Sequence, residues 1–157
     1  MATIDTTLNV TSDISSYGLS ISNNMRLTRA GSNTGLDYAT GLVRKTLTST
    51  NEVDLLTVGA GTVIDVPTDK FSAKLYIKNV NSDASEYFTV GLGKASAGAS
   101  KEDFSVADSV ERSVELGRLY SGDFMIIPWT AASDEHDVFV KPSVATSTII
   151  EYMVFFE

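Results

Sequence analysis

The segment FSAKLYIKNVN alternates without a break, with Ala73, Leu75 and Ile77 on one side and Lys74, Tyr76 and Lys78 on the other. Two is the side-chain period of an extended chain, so the stretch predicts a half-buried β-strand. Short segments of similar character recur as SEYFTVGLG, FMIIPW, DVFVKPS and STIIEYMVFF, with Gly, Pro, Ser and Asp between them. EVDLLTVGAGTVIDVP reads as a strand ending near Val58, a Gly-Ala-Gly turn and a second strand closed by Pro67. SVERSVELGRLY spaces Val110, Val114 and Leu116 between the helical and extended periods, and is read as a strand. Seven or eight strands with turn signals at intervals of roughly 8–12 residues, and no amphipathic helix, predict an all-β chain: a single β-sandwich or jelly roll with Greek-key connections. An α/β fold would require crossover helices. A propeller, solenoid or coiled coil would require a repeat or heptad that the chain lacks.

Two of these segments carry most of the apolar density. In GRLYSGDFMIIPW, Gly122-Asp123 is a turn that reverses the chain and launches a strand. Met125 and Ile127 then face one side, and Phe124 and Ile126 the other. Pro128 has no N–H to donate and is expected to stop the pairing, leaving Trp129 packed at the strand end. The terminal run, apolar except for Glu151, predicts a central strand covered on both faces or sealed by a neighbouring subunit.

Residues 1–50 differ in style. They are rich in Thr, Ser, Asn and Gly and read as an extended N-terminal arm, with residues 51–157 as the sandwich domain. Within the arm, YGLSISNNMRLTRA permits one or two short strands, with Leu19 and Ile21 before an Asn-Asn step and Met25 and Leu27 after it. AGSNTGLDYATG reads as a Gly-rich loop ordered by contact with something else.

Composition narrows the function classes. Of 157 residues, 12 are Lys or Arg and 20 are Asp or Glu, a formal net charge of -8, so a nucleic-acid backbone would be repelled. There is no cysteine, which removes disulfides, thiolate nucleophiles and zinc–thiolate sites. No segment approaches the roughly 20 apolar residues of a membrane helix, and no signal peptide is evident, so a soluble protein made in a cytoplasm is expected. Asn9-Val10-Thr11 matches a glycosylation sequon, without a secretory context to use it.

Chemical motifs are sparse. Asp134-Glu135-His136-Asp137 contains the sole histidine, but on a strand only alternate members share a face. A solvated polar turn is the simpler reading, with a loose surface cation site beside it. VGAGTVIDV has Gly59-x-Gly61 and Asp65, yet lacks the third glycine and the helix of a dinucleotide site, so a hairpin turn is expected. GLGKAS lacks the first glycine of a phosphate loop. The pairs Glu102-Asp103 and Asp134-Glu135 are adjacent, and adjacent carboxylates on a strand point apart rather than across a bond. Nothing resembles a nucleophile elbow. Tyr76, Tyr87, Tyr120, Trp129 and Tyr152 could stack sugars if they lined one exposed face, although aromatics at strand positions also serve cores and interfaces.

Over residues 71–157, LYIKNVNSDASEYFTVGLG, GRLYSGDFMIIPW and DVFVKPSVATSTIIEYMVFFE together resemble a pattern in small virion proteins of tailed bacteriophages. It runs from a strand ending in Lys-Asn through a variable turn and a Gly-Asp turn into a Pro-Trp strand, then to a terminal EYMVFFE strand. The resemblance implies a non-enzymatic capsid decoration (cement) protein residing in the virion, with a fibre-base or tail-associated module recognising host glycans as the alternative. The expected partner is the major capsid protein or another virion protein, together with further copies of the chain as a homo-oligomer, a trimer by shell geometry. No catalytic, metal or cofactor residue is assigned. The positions assigned to a partner interface are Arg26, Arg29, Leu36, Tyr38, Arg44, Tyr120 and Trp129.

Overall fold

A computed structural model describes residues 4–12, 19–27, 38–57, 72–93, 114–130 and 137–156. The described residues form eleven strands: β1 (Ile4–Ser12), β2 (Leu19–Leu27), β3 (Tyr38–Ala39), β4 (Val43–Leu47), β5 (Val53–Leu56), β6 (Ser72–Asn79), β7 (Tyr87–Leu92), β8 (Val114–Tyr120), β9 (Phe124–Thr130), β10 (Val138–Pro142) and β11 (Thr148–Phe156). No helix occurs among these residues, so none is long and apolar enough to cross a membrane.

The chain is all-β and antiparallel. One sheet has the order β5-β10-β7-β8; the other runs β3-β11-β6-β9, with β4 following β3 along the same edge of β11. Across the two, β4 pairs with β11, β5 with β10, β6 with β9 and β7 with β8. Between the sheets lies the core, in which Leu55, Leu56, Leu75, Ile77, Phe88, Val90, Val138, Val140, Ile150 and Val154 are fully buried. The two layers therefore form a β-sandwich, each contributing alternate residues to a shared interior. β6 shows the alternation read from its sequence: Ala73, Leu75 and Ile77 are buried while Lys74, Tyr76 and Lys78 are only partly covered.

Residues 38–47, which the sequence reading assigns to the arm, belong to the sandwich: Tyr38–Ala39 and Val43–Leu47 both pair with β11. Leu47 enters the core. β1 and β2 instead make a separate two-stranded ribbon, paired from Ile4↔Leu27 to Ser12↔Leu19. The Asn23-Asn24 step does not interrupt β2.

One local expectation is corrected. Strand pairing does not stop at Pro128: β9 continues through Lys74↔Pro128 and Ala73↔Trp129 to Ser72↔Thr130. β9 is the outermost strand, where a residue with its nitrogen turned away from β6 needs no N–H. The Gly122-Asp123 turn launches β9 as expected, and because β8 and β9 belong to opposite sheets it carries the chain from one layer to the other. Gly122, at φ 84°, supplies the left-handed backbone of that turn. Asp123 holds it by receiving the Tyr120 N–H on its carboxylate at 3.0 Å and returning its own N–H to the Tyr120 carbonyl at 2.9 Å.

Asn79, the asparagine of the Lys-Asn strand end, fastens this corner. It is fully buried, and its amide donates to the Leu119 carbonyl at 3.0 Å and the Glu86 carbonyl at 3.4 Å. Its side-chain oxygen accepts from the Asn81 N–H at 2.9 Å. Its backbone also receives the Gly122 N–H and donates to the Asp123 carbonyl, both at 3.0 Å. One residue thus links the end of β6, the approach to β7 and, through its backbone, the β8–β9 turn.

Candidate interaction surfaces

From Ile150 to Phe156 the terminal strand β11 is largely covered on both faces, whereas Ile149 is exposed. Its Ile150, Tyr152, Val154 and Phe156 enter the core, whereas Phe155 points outward and is buried against Leu27 of the β2 ribbon, with Ala39, Tyr76 and Met153 around them. The outer face continues with Ile126 and Phe124 of β9, the Phe124 ring lying 6.3 Å from that of Tyr76. Phe124 is 56% exposed. An apolar stripe therefore runs across this sheet from the seat of Leu27 to its β9 edge.

Polar groups border the stripe. Glu151 is buried, and its carboxylate receives the Arg44 Nε–H at 2.8 Å. Partial burial raises the Tyr76 phenol above the usual tyrosine range, and its hydrogen bond and proximity to the Glu151 carboxylate act in the same direction. Arg44, Glu151 and Tyr76 thus form one chain of contacts on the outer face.

The β1–β2 ribbon is amphipathic. Its register places Thr6, Leu8 and Val10 opposite Met25, Asn23 and Ile21 on one face. Leu8 is 49% exposed, Ile21 47%, Met25 39% and Val10 37%, while Leu27 on the same face is 2% exposed. The other face is polar: Arg26 Nε lies 2.7 Å from the Asp5 carboxylate, and Ser22 donates to Asn9 at 2.7 Å. The hydrogen bond from Arg26 pulls the Asp5 carboxyl below its ordinary value.

A third surface lies on the opposite sheet. Tyr87 and Tyr120 are register partners with ring centroids 5.2 Å apart, and the Arg118 guanidinium sits 4.6 Å over the Tyr87 ring. A hydrogen bond to Tyr120 raises the Arg118 pKa, and proximity to Tyr87 adds to it. Near this edge Val114 and Leu116 are also exposed.

The sequence-assigned interface residues do not converge on one place. Arg26 lies on the polar face of the ribbon, Arg44 on the outer face of the β11 sheet and Tyr120 on the opposite sheet. Trp129 is 4% exposed and belongs to the chain's own core, so it presents no surface to a partner. Tyr38 is placed by its backbone, opposite Phe156, while Arg29 and Leu36 lie outside the described residues. The tyrosines likewise line no common face, since Tyr152 is buried in the core. Asp137 departs from the solvated turn expected of it. It is buried, and its carbonyl receives the Gly93 N–H at 2.7 Å; residues 134–136, with His136, lie outside the described residues, as do Gly59, Gly61, Asp65, Glu102 and Asp103. Among the described residues no group of three His, Cys, Asp or Glu side chains could hold a metal ion.

The sequence reading missed the outward apolar stripe and the role of Leu27. A signal for both was present in the odd-numbered apolar positions of MRL and in Phe155-Phe156, where adjacent rings must point to opposite faces. Comparison with protein-family models, curated proteins and solved structures finds no match for this chain.

Proposed function

We propose that this chain is a non-enzymatic structural component of a phage particle, a decoration protein that binds the outer capsid surface and reinforces joints between shell subunits. The observation that supports this reading is the apolar face of the β1–β2 ribbon, exposed beside a well-packed sandwich. A two-stranded ribbon is marginal by itself in water, and an uncovered row of Leu, Val, Ile and Met is costly unless an assembly covers it. A cement protein acts by burying such surface across joints, with no reacting group. The ribbon-like pairing of β4 with β11, β5 with β10, β6 with β9 and β7 with β8 supports reading the sandwich as a jelly roll, an architecture of capsid and lectin domains. The resemblance over residues 71–157 supplies the link to phage virions.

The test is titration of shells lacking the protein with purified chain. Saturation at a fixed ratio to the major capsid protein is expected, and no association with any virion component would refute the proposal. A second reading, a fibre-base or tail module for host glycans, is favoured by the Tyr87–Arg118–Tyr120 cluster, an aromatic and cationic surface suited to sugar stacking. It expects retention on host polysaccharide that Tyr87→Ala abolishes; equal retention of variant and parent would dismiss it.

A further inference from the structure

We infer that the β1–β2 ribbon of one copy lies on the outer face of the β11 sheet of a second copy, in a closed homo-oligomer. The inference rests on the assembly reading only in treating the ribbon as an association element, and holds whether or not the final neighbours belong to a virion.

Complementarity is present on the chain itself. Leu27 already seats the apolar face of the ribbon on Phe155, with Met153 and Tyr76 beside it. The same ribbon face continues through Met25, Ile21, Val10 and Leu8 without cover, and the same sheet face continues through Ile126 and Phe124. Six residues separate Leu27 from Ile21, about 20 Å of strand. The uncovered part of the ribbon thus extends well past the seat and is available to a neighbour's stripe.

Charge favours the same occupant. The chain carries a formal net charge of -8, so most pairs of its surfaces repel. These two do not: the described ribbon holds one acid and one base, Asp5 and Arg26, already paired with each other. Among the described residues, β4, β6 and β11 place Arg44, Lys74, Lys78 and Glu151 on the outer sheet face, with Glu151 paired to Arg44. A neutral ribbon meeting a mildly basic face therefore escapes the general repulsion.

Area decides the stoichiometric form. The uncovered part of the ribbon is about 20 Å long and about 10 Å wide, so one ribbon-on-sheet contact buries roughly 400 Å² counting both sides. That falls short of the roughly 1,200 Å² of a stable interface, so association needs several such contacts acting together in a closed assembly. Closure, in which every copy gives one ribbon and receives one, also leaves no apolar face over for open-ended growth.

The experiment uses the full chain without shells. Light scattering and sedimentation are expected to give one discrete mass, an integer multiple of the chain. Val10→Asp/Ile21→Asp on the ribbon and Phe124→Asp/Ile126→Asp on the sheet face should each weaken association on the order of a hundredfold, as for loss of central interface contacts. Mixed together, the two variants should associate more tightly than either does with itself and more weakly than the parent, because the mixture restores a single intact ribbon-on-sheet contact. Trp129 fluorescence checks that each variant keeps its core. A monomeric parent, variants that assemble as the parent does, or folded variants that associate no more tightly when mixed than alone would each overturn the inference. A monomeric parent that nevertheless saturates shells would overturn the inference alone, and an oligomer that ignores shells would refute the decoration function alone.

Discussion

Asn79 offers the sharpest test of how the two sheets are joined. Asn79→Ala removes a buried amide whose Leu119 and Asn81 bonds are short, and a longer one to Glu86. Each bond contributes about 0.5–1.5 kcal/mol net, and stranding a buried backbone partner costs about 1–3 kcal/mol. Taking two good bonds and one weak one, the loss is about 2–4 kcal/mol. For a chain of this size, 3 kcal/mol lowers the thermal midpoint by roughly 6–12 °C. Urea unfolding followed by the fluorescence of Trp129, which is buried in the same core, reads this directly. Asn79→Asp sharpens the test through pH. Its second oxygen would face the Leu119 and Glu86 carbonyls, so protonation is favoured in the folded state and the folded pKa lies above the unfolded value of about 3.9. A raised folded pKa contributes stability that is present in acid and lost as pH rises through it. The Asp variant should therefore approach the parent in acid and fall furthest below it at neutral pH. A loss under about 1 kcal/mol for Asn79→Ala, or a pH-independent deficit for Asn79→Asp, would refute the assigned role.

Three further outcomes are expected. Gly91→Ala places a methyl carbon 2.1 Å from the Phe139 ring and 2.6 Å from the Val114 carbonyl, so it should cost about 1–3 kcal/mol in urea unfolding, and Phe139→Leu should restore only part because the carbonyl remains. Burial raises the pKa of both Tyr76 and Tyr152. Their contribution to stability is thus present below the unfolded value near 10 and lost as pH rises through the folded values, and tyrosinate absorbance should show a late-ionising group that shrinks in Tyr76→Phe and in Tyr152→Phe. Arg44→Ala leaves the buried Glu151 carboxylate without its guanidinium, whereas Glu151→Gln keeps a hydrogen-bonding partner for Arg44 and Tyr76. Thermal unfolding should show the Arg44 change to be the more damaging of the two.

The strands whose residues alternate were legible because period two is a local property. Lys74 to Lys78 declare their faces without reference to any partner, whereas the unbroken apolar run Phe124 to Ile127 needs its pairing with β6 to say which side is inward. Pro128 was misread because its cost depends on strand order, which is a long-range property: it would interrupt a central strand but is tolerated on β9. Pro142 is a parallel case, lying where β10 has passed the end of its pairing with β5 at Val140↔Val53. Trp129 was assigned both to a core and to a partner because a strand-end aromatic fits either. Only the pairing with Ala73, whose side faces inward, settles it. The Thr-, Ser-, Asn- and Gly-rich style of residues 1–50 concealed the sandwich strand within 38–47, since β11 supplies most of the apolar partners and β4 needs few of its own.

The edges of the sandwich bear on how copies can meet. An exposed sheet edge is a ready template for strand addition, and among the described residues the β8 and β9 edges are spoiled. β9 carries Pro128. β8 is bulged, with Leu116 inserted between Gly117, opposite Val90, and Glu115, opposite Gly91. On the remaining side, Lys45 of β4 reaches the Asp54 carbonyl of β5 at 3.1 Å and ties the two sheets together. Strand addition is disfavoured at these edges, which supports the face-on contact proposed above. Among the described residues, apolar side chains are exposed on the β1–β2 ribbon, at Phe124 on the outer face and at Val114 and Leu116 on β8. A chain built to add strands would show the reverse, regular unbroken edges and polar faces, so Pro128 and the β8 bulge weigh for contact through faces in the proposed assembly.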